Sequence, residues 1–265
     1  MQAQSQSQSH APALSIWVAD LQYHISFLEA VHDAELNQGS ALYLDRALLR
    51  AAVSRYERLW LPLVASHAGP HHLIPPIDVA WVWHLHRLAP LKYAEYCNSR
   101  FGAILDPGSA AFRLETHDSL SCERSTASKE AWERKYPTEP FFLGPGGVPG
   151  AATDEPEPAL FKPLFATSLR QRTFLWQVSG KSFSCERFLA ESIERYDKFL
   201  RLMGVCGYDK HFFVPPYDVD LCWHTHSEFL QDKLASSDLC SSRGRLIIFV
   251  DVPPAFQCWL LARSI

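Results

Sequence analysis

The sequence predicts an all-α protein in which two pseudo-symmetric three-helix units pack around a shared core. The first observation is a duplicated motif, Pro-Pro-x-Asp-Val-x-x-x-Trp-His-x-His, which runs from Pro75 to His86 and again from Pro215 to His226. A repeat of this length indicates two related structural units. The second observation is that apolar residues recur at helical spacing before residue 240, with no alternating strand pattern.

Breaks in composition divide the chain. The Gln/Ser-rich start is typical of a disordered segment, and the dense Pro and Gly residues after Phe141 cannot continue a helix. The predicted division is a disordered leader over residues 1–13, a first helical unit over 14–136, a Pro/Gly-rich linker over 137–163, a second helical unit over 164–239 and an atypical hydrophobic tail over 240–265.

In the first unit, the ranges Leu14 to Leu36 and Ala41 to Val64 predict an antiparallel pair of amphipathic helices. Pro75 and Pro76 then open the motif helix, because proline suits a first turn, where its missing N–H would have no partner. A short charged helix follows, from Thr126 to Tyr136, before Pro137.

The second unit repeats this plan. Its apolar spacing predicts helices over Leu164 to Val178, Phe183 to Met203 and Pro215 to Leu234. The hydrophobic tail has no counterpart in the first unit and leaves a strand and a packing segment as alternatives.

Composition limits the classes of function. The formal charge of −4 and the pI of about 6.3 provide no electrostatic footprint for nucleic acid. No stretch approaches the roughly 20 apolar residues that span a bilayer. Seven cysteines without a CxxC pair indicate reduced core thiols, and the leader lacks a secretory signal. We therefore expect a cytoplasmic protein with no membrane partner, and the net charge disfavours a nucleic-acid partner while leaving a local basic patch open.

The two His-x-His pairs invite a metal interpretation, since imidazole and carboxylate suit zinc, iron, nickel or copper. On a helix, however, residues i and i+2 point roughly 200° apart, so His84 and His86 cannot hold one ion together. The histidines of both copies would have to converge across the seam. Packing at the seam, a metal or catalytic site, and small-ligand recognition remain three alternatives; the candidate ligands are His84, His86, His224 and His226.

The helical spacing also separates the residues of the motif by role. Val79, Trp83 and His86 fall on one face. Asp220 lies four residues before His224, a spacing that permits a local pair. Asp78 and Asp218 are expected to cap the motif helices or to orient the imidazoles, and Trp83 and Trp223 are expected to pack beside them.

The motif residues Pro75 to Tyr93 resemble the repeated signature of the plant glycine-rich domain-containing proteins. The segments Trp132 to Phe141, Arg172 to Ser179 and Val214 to His226 are similar to the same family. The resemblance covers roughly residues 14–239 and implies a role in growth, auxin-related development and stress tolerance, without an established reaction. The chain lacks the family's glycine-rich tract. After His226 it also has Ser227-Glu228-Phe229 in place of the Leu-x-Pro-type continuation seen at Leu88-Ala89-Pro90, which predicts a partly eroded second motif.

We therefore expect a non-enzymatic interaction or regulatory module with a protein partner. The alternative is a metal-dependent, oxygenase-like enzyme. Its cofactor would be a divalent transition metal held by the His and Asp residues of the two motifs.

Overall fold

The computed structural model describes residues 16–38, 42, 45–67, 73–107, 112–114, 119–143, 156–206 and 213–235. These ranges are helical with short connections and contain no strand, which confirms the all-α class. The leader over 1–13, the tail over 240–265 and the middle of the predicted linker lie outside the described residues. None of the described helices is long and apolar enough to cross a membrane.

The helices follow the predicted order with shifted bounds. A π-helical turn, Tyr56–Trp60, joins α2 to α3, and a 3₁₀ turn, Lys181–Ser184, precedes α8. The helices are α1 (Val18–Gln38), α2 (Arg46–Arg55), α3 (Leu61–Ser66), α4 (Ile77–Arg87), α5 (Pro90–Phe101), α6 (Ser119–Lys135), α7 (Phe161–Val178), α8 (Glu186–Cys206) and α9 (Tyr217–Ala235).

Local chemistry explains several of these ends. The Asp45 carboxylate accepts from the backbone N–H groups of Ala47 and Leu48 and so caps α2. Pro76 is the extended residue before α4, as the proline pair predicts. Gly102 ends α5 in the left-handed region, at φ 74°, where a side chain would be strained.

Helix α5 was not predicted. Pro90 occupies its first turn, and Tyr93 and Cys97 bury one face at i, i+4 spacing. The first repeat therefore contains α5 beyond the helices expected, whereas α6 is the predicted charged helix and begins at Ser119 rather than at Thr126. Helix α7 begins at Phe161, inside the range predicted as linker.

The first helix of each repeat packs mainly on helices of the other repeat. Helix α1 contacts α7, α8 and α9, and α7 contacts α2 and α4. The predicted antiparallel pairing of α1 with α2 is therefore wrong. The reason is that the buried side chains of α1, including Leu21, Leu28 and Val31, belong to the single core that both repeats share. The pseudo-symmetric relation between the units stays a prediction.

Candidate functional site at the two motif helices

Helices α4 and α9 carry the two motifs, and all four motif histidines are buried. The two-residue separation of His84 and His86 places their side chains on different faces of α4, as the sequence predicts. His84 and His86 point to different surroundings: His84 lies near Phe27, Trp81 and Phe112, and His86 lies near Tyr56, Tyr93 and Tyr96.

The second histidine of each motif is paired with a tyrosine. The Tyr56 hydroxyl lies 3.0 Å from His86 Nδ1, and the Tyr196 hydroxyl lies 3.0 Å from His226 Nδ1. In both pairs the partners are 30 residues apart. Burial lowers the pKa of His86 to about 3 and raises the pKa of both tyrosines well above the ordinary value. Neither partner of the Tyr56–His86 pair therefore titrates near neutral pH.

Each motif aspartate binds an arginine of an earlier helix. Asp78 Oδ2 accepts from Arg55 Nε at 2.8 Å, and Asp218 Oδ2 accepts from Arg195 Nε at 2.6 Å, both across 23 residues. Burial raises the pKa of Asp78, and Arg55 opposes that shift. Pro76, the residue before α4, forms no side-chain cap. The backbone N–H groups of Val79 and Asp78 also lower the pKa of the Asp78 carboxyl, so this carboxylate lies against the first turn of α4 while it binds Arg55.

A buried ion pair joins the two motif helices. Arg87 Nη1 on α4 lies 2.6 Å from Glu228 Oε2 on α9, and His84 Nδ1 lies 3.1 Å from Glu228 Oε1. The side chains of all three are almost completely inaccessible. A buried carboxylate requires such partners, since an unpaired charge in the core is costly. Glu228 is thus a structural partner of the first motif, at a position where the second motif departs from the first.

Helix α1 supplies a further imidazole to this cluster. His24 Nδ1 lies 2.8 Å from Thr225 Oγ1, and the Thr225 hydroxyl donates to the Leu221 carbonyl. His24 Nδ1 must therefore donate its proton to Thr225. The ring centroids of His24 and His84 are 5.2 Å apart. Burial first, and then His84, His224 and Arg87, lower the pKa of His24 well below its ordinary value.

His224 forms the local pair that its spacing predicts. Its Nε2 lies 3.5 Å from Asp220 Oδ1, one helical turn earlier. Burial, followed by the influence of His84, lowers its pKa to about 3. His24, His84 and His224 thus form one electrostatic neighbourhood, made of neutral or carboxylate-paired imidazoles.

The structure brings His84 and His224 together across the seam but places His86 and His226 in separate tyrosine pairs. Among the described residues, no group of three or more His, Cys, Asp or Glu side chains has an arrangement that could hold a metal ion. Metal binding by the four motif histidines stays a prediction. The arrangement favours holding helices together, because its groups are buried and several are paired with side chains from other parts of the chain.

The motif tryptophans do not contact the imidazoles as simply as expected. Trp83 Nε1 donates to the Tyr93 hydroxyl at 2.8 Å, and the Tyr93 ring stands edge-on to His86. Trp81 is the residue that stacks on His84. In the second copy, Trp223 packs against Phe199. Trp83 thus reaches His86 through Tyr93, whereas Trp81 contacts His84 directly.

Sequence reasoning missed His24, Arg87 and Glu228. His24 carries no signal, because it belongs to no motif and its role depends on α1 packing on α9. Glu228 does carry a sequence signal, because it is a charged residue in a predicted buried helix, at the point where the repeat breaks down. The equal spacing of Arg55 to Asp78 and of Arg195 to Asp218 could have predicted both arginine pairs.

Known proteins share these motifs. The family model for glycine-rich domain-containing protein-like sequences matches residues 92–231, from α5 through the second motif. Glycine-rich domain-containing protein 1 of Arabidopsis thaliana is 34% identical over 220 residues, which are 79% of this chain and 25% of that protein. Glycine-rich domain-containing protein 2 of the same plant is 35% identical over 214 residues, 77% of this chain and 25% of that protein.

The chain thus spans about a quarter of the length of these curated relatives. No solved structure matches it. The family match covers more than half of the chain and includes the helix that carries Glu228. This chain therefore belongs to the glycine-rich domain-containing protein family.

Proposed function

We propose that the chain is a cytoplasmic, non-enzymatic interaction module that binds a protein partner in plant growth, auxin-related development or stress responses. The proposal rests on the observation that the motif side chains are buried and paired with other side chains of the protein. His86 is paired with Tyr56, His226 with Tyr196, and Glu228 with Arg87. Catalysis needs polar groups that a substrate can reach in a pocket.

Exposed aromatic residues on the surface also support the proposal. Trp176, near the end of α7, is 79% exposed, and the adjacent Gln177 donates to the Tyr217 hydroxyl at 2.8 Å. Tyr217 at the start of α9 is also exposed. Aromatic residues are enriched in protein interfaces, where they supply much of the binding energy.

Affinity capture followed by reconstitution tests this function. The intact chain serves as bait in extracts from unstressed and stressed plants, beside an unrelated helical protein of similar size and charge. The expected result is a protein that this chain enriches and the unrelated helical protein does not. That protein should then bind the purified chain directly. Failure of every enriched protein to bind directly would refute the interaction role. A fluorescent fusion found outside the cytoplasm would refute the location.

A further inference from the structure

In the first repeat, α6 and the segment after it cover one face of the α2–α4 pair. Arg55 Nη1 donates to the Pro140 carbonyl at 2.7 Å, and Nη2 donates to the Phe141 carbonyl at 2.6 Å. The Trp132 ring lies over the guanidinium, with its centroid 4.9 Å from the central carbon. One buried arginine therefore binds the backbone of the turn that follows α6, in which the Glu139 N–H donates to the Tyr136 carbonyl, and an aromatic ring covers the guanidinium.

Further bonds extend this contact along the face. Tyr136 donates its hydroxyl to the Leu59 carbonyl at 2.9 Å, and Lys135 Nζ donates to the Pro62 carbonyl at 2.8 Å. At the other end, the Ile74 N–H donates to Ser128 Oγ at 2.8 Å. The segment that covers the face has the sequence Tyr-Pro-Thr-Glu-Pro-Phe over residues 136–141.

The second repeat builds the same face, and among the residues that the structure describes the counterparts of the covered side chains are exposed. When Pro75 is aligned with Pro215, Arg195 is equivalent to Arg55 and Val214 is equivalent to Ile74. The Arg195 side chain is 39% exposed, against 4% for Arg55. Val214 is 41% exposed, against 1% for Ile74.

The open face is apolar and has a charged centre. Leu202, the counterpart of Pro62, is 50% exposed, and Tyr217 at the start of α9 is partly exposed as well. Arg195 is held in place by Asp218 and Ser192, with Glu191 Oε2 at 3.8 Å and the Phe188 ring below it. Its geometry toward Asp218 thus matches that of Arg55 toward Asp78.

We infer that this open face, defined by Arg195, Leu202, Val214 and Tyr217, binds a turn-forming, proline- and aromatic-containing segment of a partner protein. The covered face of the first repeat specifies the chemistry of that partner. It offers two consecutive backbone carbonyls to the guanidinium, an aromatic side chain over the guanidinium, and prolines that restrict the backbone of a turn and so lower the entropic cost of binding. The inference rests on the proposed interaction role and names the surface that performs it.

A synthetic peptide with the sequence of residues 129–143 is the probe, because it carries the chemistry that the first repeat already binds. Fluorescence anisotropy measures its binding to the intact chain. We expect saturable binding that weakens at least tenfold in Leu202→Asp and in Arg195→Gln. Leu169→Asp, which changes an exposed leucine on α7, is the matched control and keeps the wild-type affinity. Circular dichroism confirms that each variant is folded.

Three results would overturn the inference. The peptide fails to bind, or it binds Leu202→Asp as tightly as wild type. Alternatively, a photo-crosslinking amino acid in place of Leu202 in the intact chain joins residues 236–265 of the same molecule or a second copy, which would identify a different occupant. A captured partner that binds Leu202→Asp normally would leave the interaction role standing and remove only this surface from it.

Discussion

Glu228 of α9 lies 2.6 Å from Arg87 of α4, so one buried ion pair connects the helix of the first motif to the helix of the second. The same carboxylate lies 3.1 Å from His84 Nδ1. Neither residue of the ion pair has an identical counterpart in the other copy, since Leu88 and Ser227 occupy those places. The two repeats have therefore diverged in a complementary way at their contact.

This ion pair predicts a large effect when one side is removed. Glu228→Gln leaves the Arg87 guanidinium buried without its carboxylate, and we expect the free energy of unfolding to fall by about 3–5 kcal/mol. Urea denaturation followed by circular dichroism measures the change. Glu191→Gln, which breaks an exposed i, i+4 pair with Arg187, is the control and should cost less than about 1 kcal/mol. Equal losses in the two variants would contradict the structural role of Glu228.

The tyrosine–histidine pairs predict matched effects in the two repeats. Tyr56→Phe and Tyr196→Phe each remove a hydroxyl from a buried imidazole nitrogen, and each should cost about 1–3 kcal/mol of unfolding free energy. Tyr217→Phe changes an exposed hydroxyl and should stay within about 0.5 kcal/mol of wild type. If only one of the two buried tyrosines affects the urea midpoint, the pairs are not equivalent.

The buried histidines predict that stability falls in acid. Burial lowers the pKa of His86 and His224 to about 3, so between pH 3 and the unfolded value of about 6.5 the unfolded chain binds more protons. The contribution of these two histidines to the free energy of unfolding is complete above pH 6.5. It is lost as the pH falls, and the free energy of unfolding then decreases by about 1.4 kcal/mol per pH unit for each histidine. Urea midpoints between pH 4.5 and 8 should show this slope, and His86→Gln should flatten it. Parallel profiles for wild type and variant would refute the assignment.

Cysteine exposure predicts selective thiol labelling. Cys97 and Cys222 are buried, and burial raises the pKa of Cys222 to about 12, whereas Cys122 and Cys185 are exposed. The prediction that the thiols lie in the core is thus right for Cys97 and Cys222 and wrong for Cys122 and Cys185. A maleimide reagent should modify Cys122 and Cys185 in the native protein well before the buried pair, as peptide mass spectrometry would show. Rapid native labelling of Cys222 would contradict the packing of α8 on α9.

Elemental analysis decides between packing and the metal alternative at the motif histidines. Because His86 and His226 are engaged by tyrosines, we expect much less than one metal atom per chain in the tag-free protein, even after zinc or iron is offered. The control is His84→Ala combined with His86→Ala, His224→Ala and His226→Ala. Stoichiometric metal in wild type that disappears in this variant would overturn the packing interpretation.

Much of the local structure was predictable because it depends on neighbours in the chain. The proline pair sets the start of α4, and the spacing of Asp220 and His224 produces their contact. The i, i+2 separation of His84 and His86 is a property of any helix. Helix α5 was missed because Pro90 suggested a continuing motif rather than a new first turn.

By itself, then, the sequence determined the all-α class, the order of the long helices, the duplicated motif and the family. Only the tertiary structure decided that α1 packs on the second repeat, that Glu228 meets Arg87, and that Arg55 is covered while Arg195 is open. The physical reason is that helix formation follows from local hydrogen bonds and side-chain spacing, whereas the meeting of two helix faces depends on residues far apart in the chain.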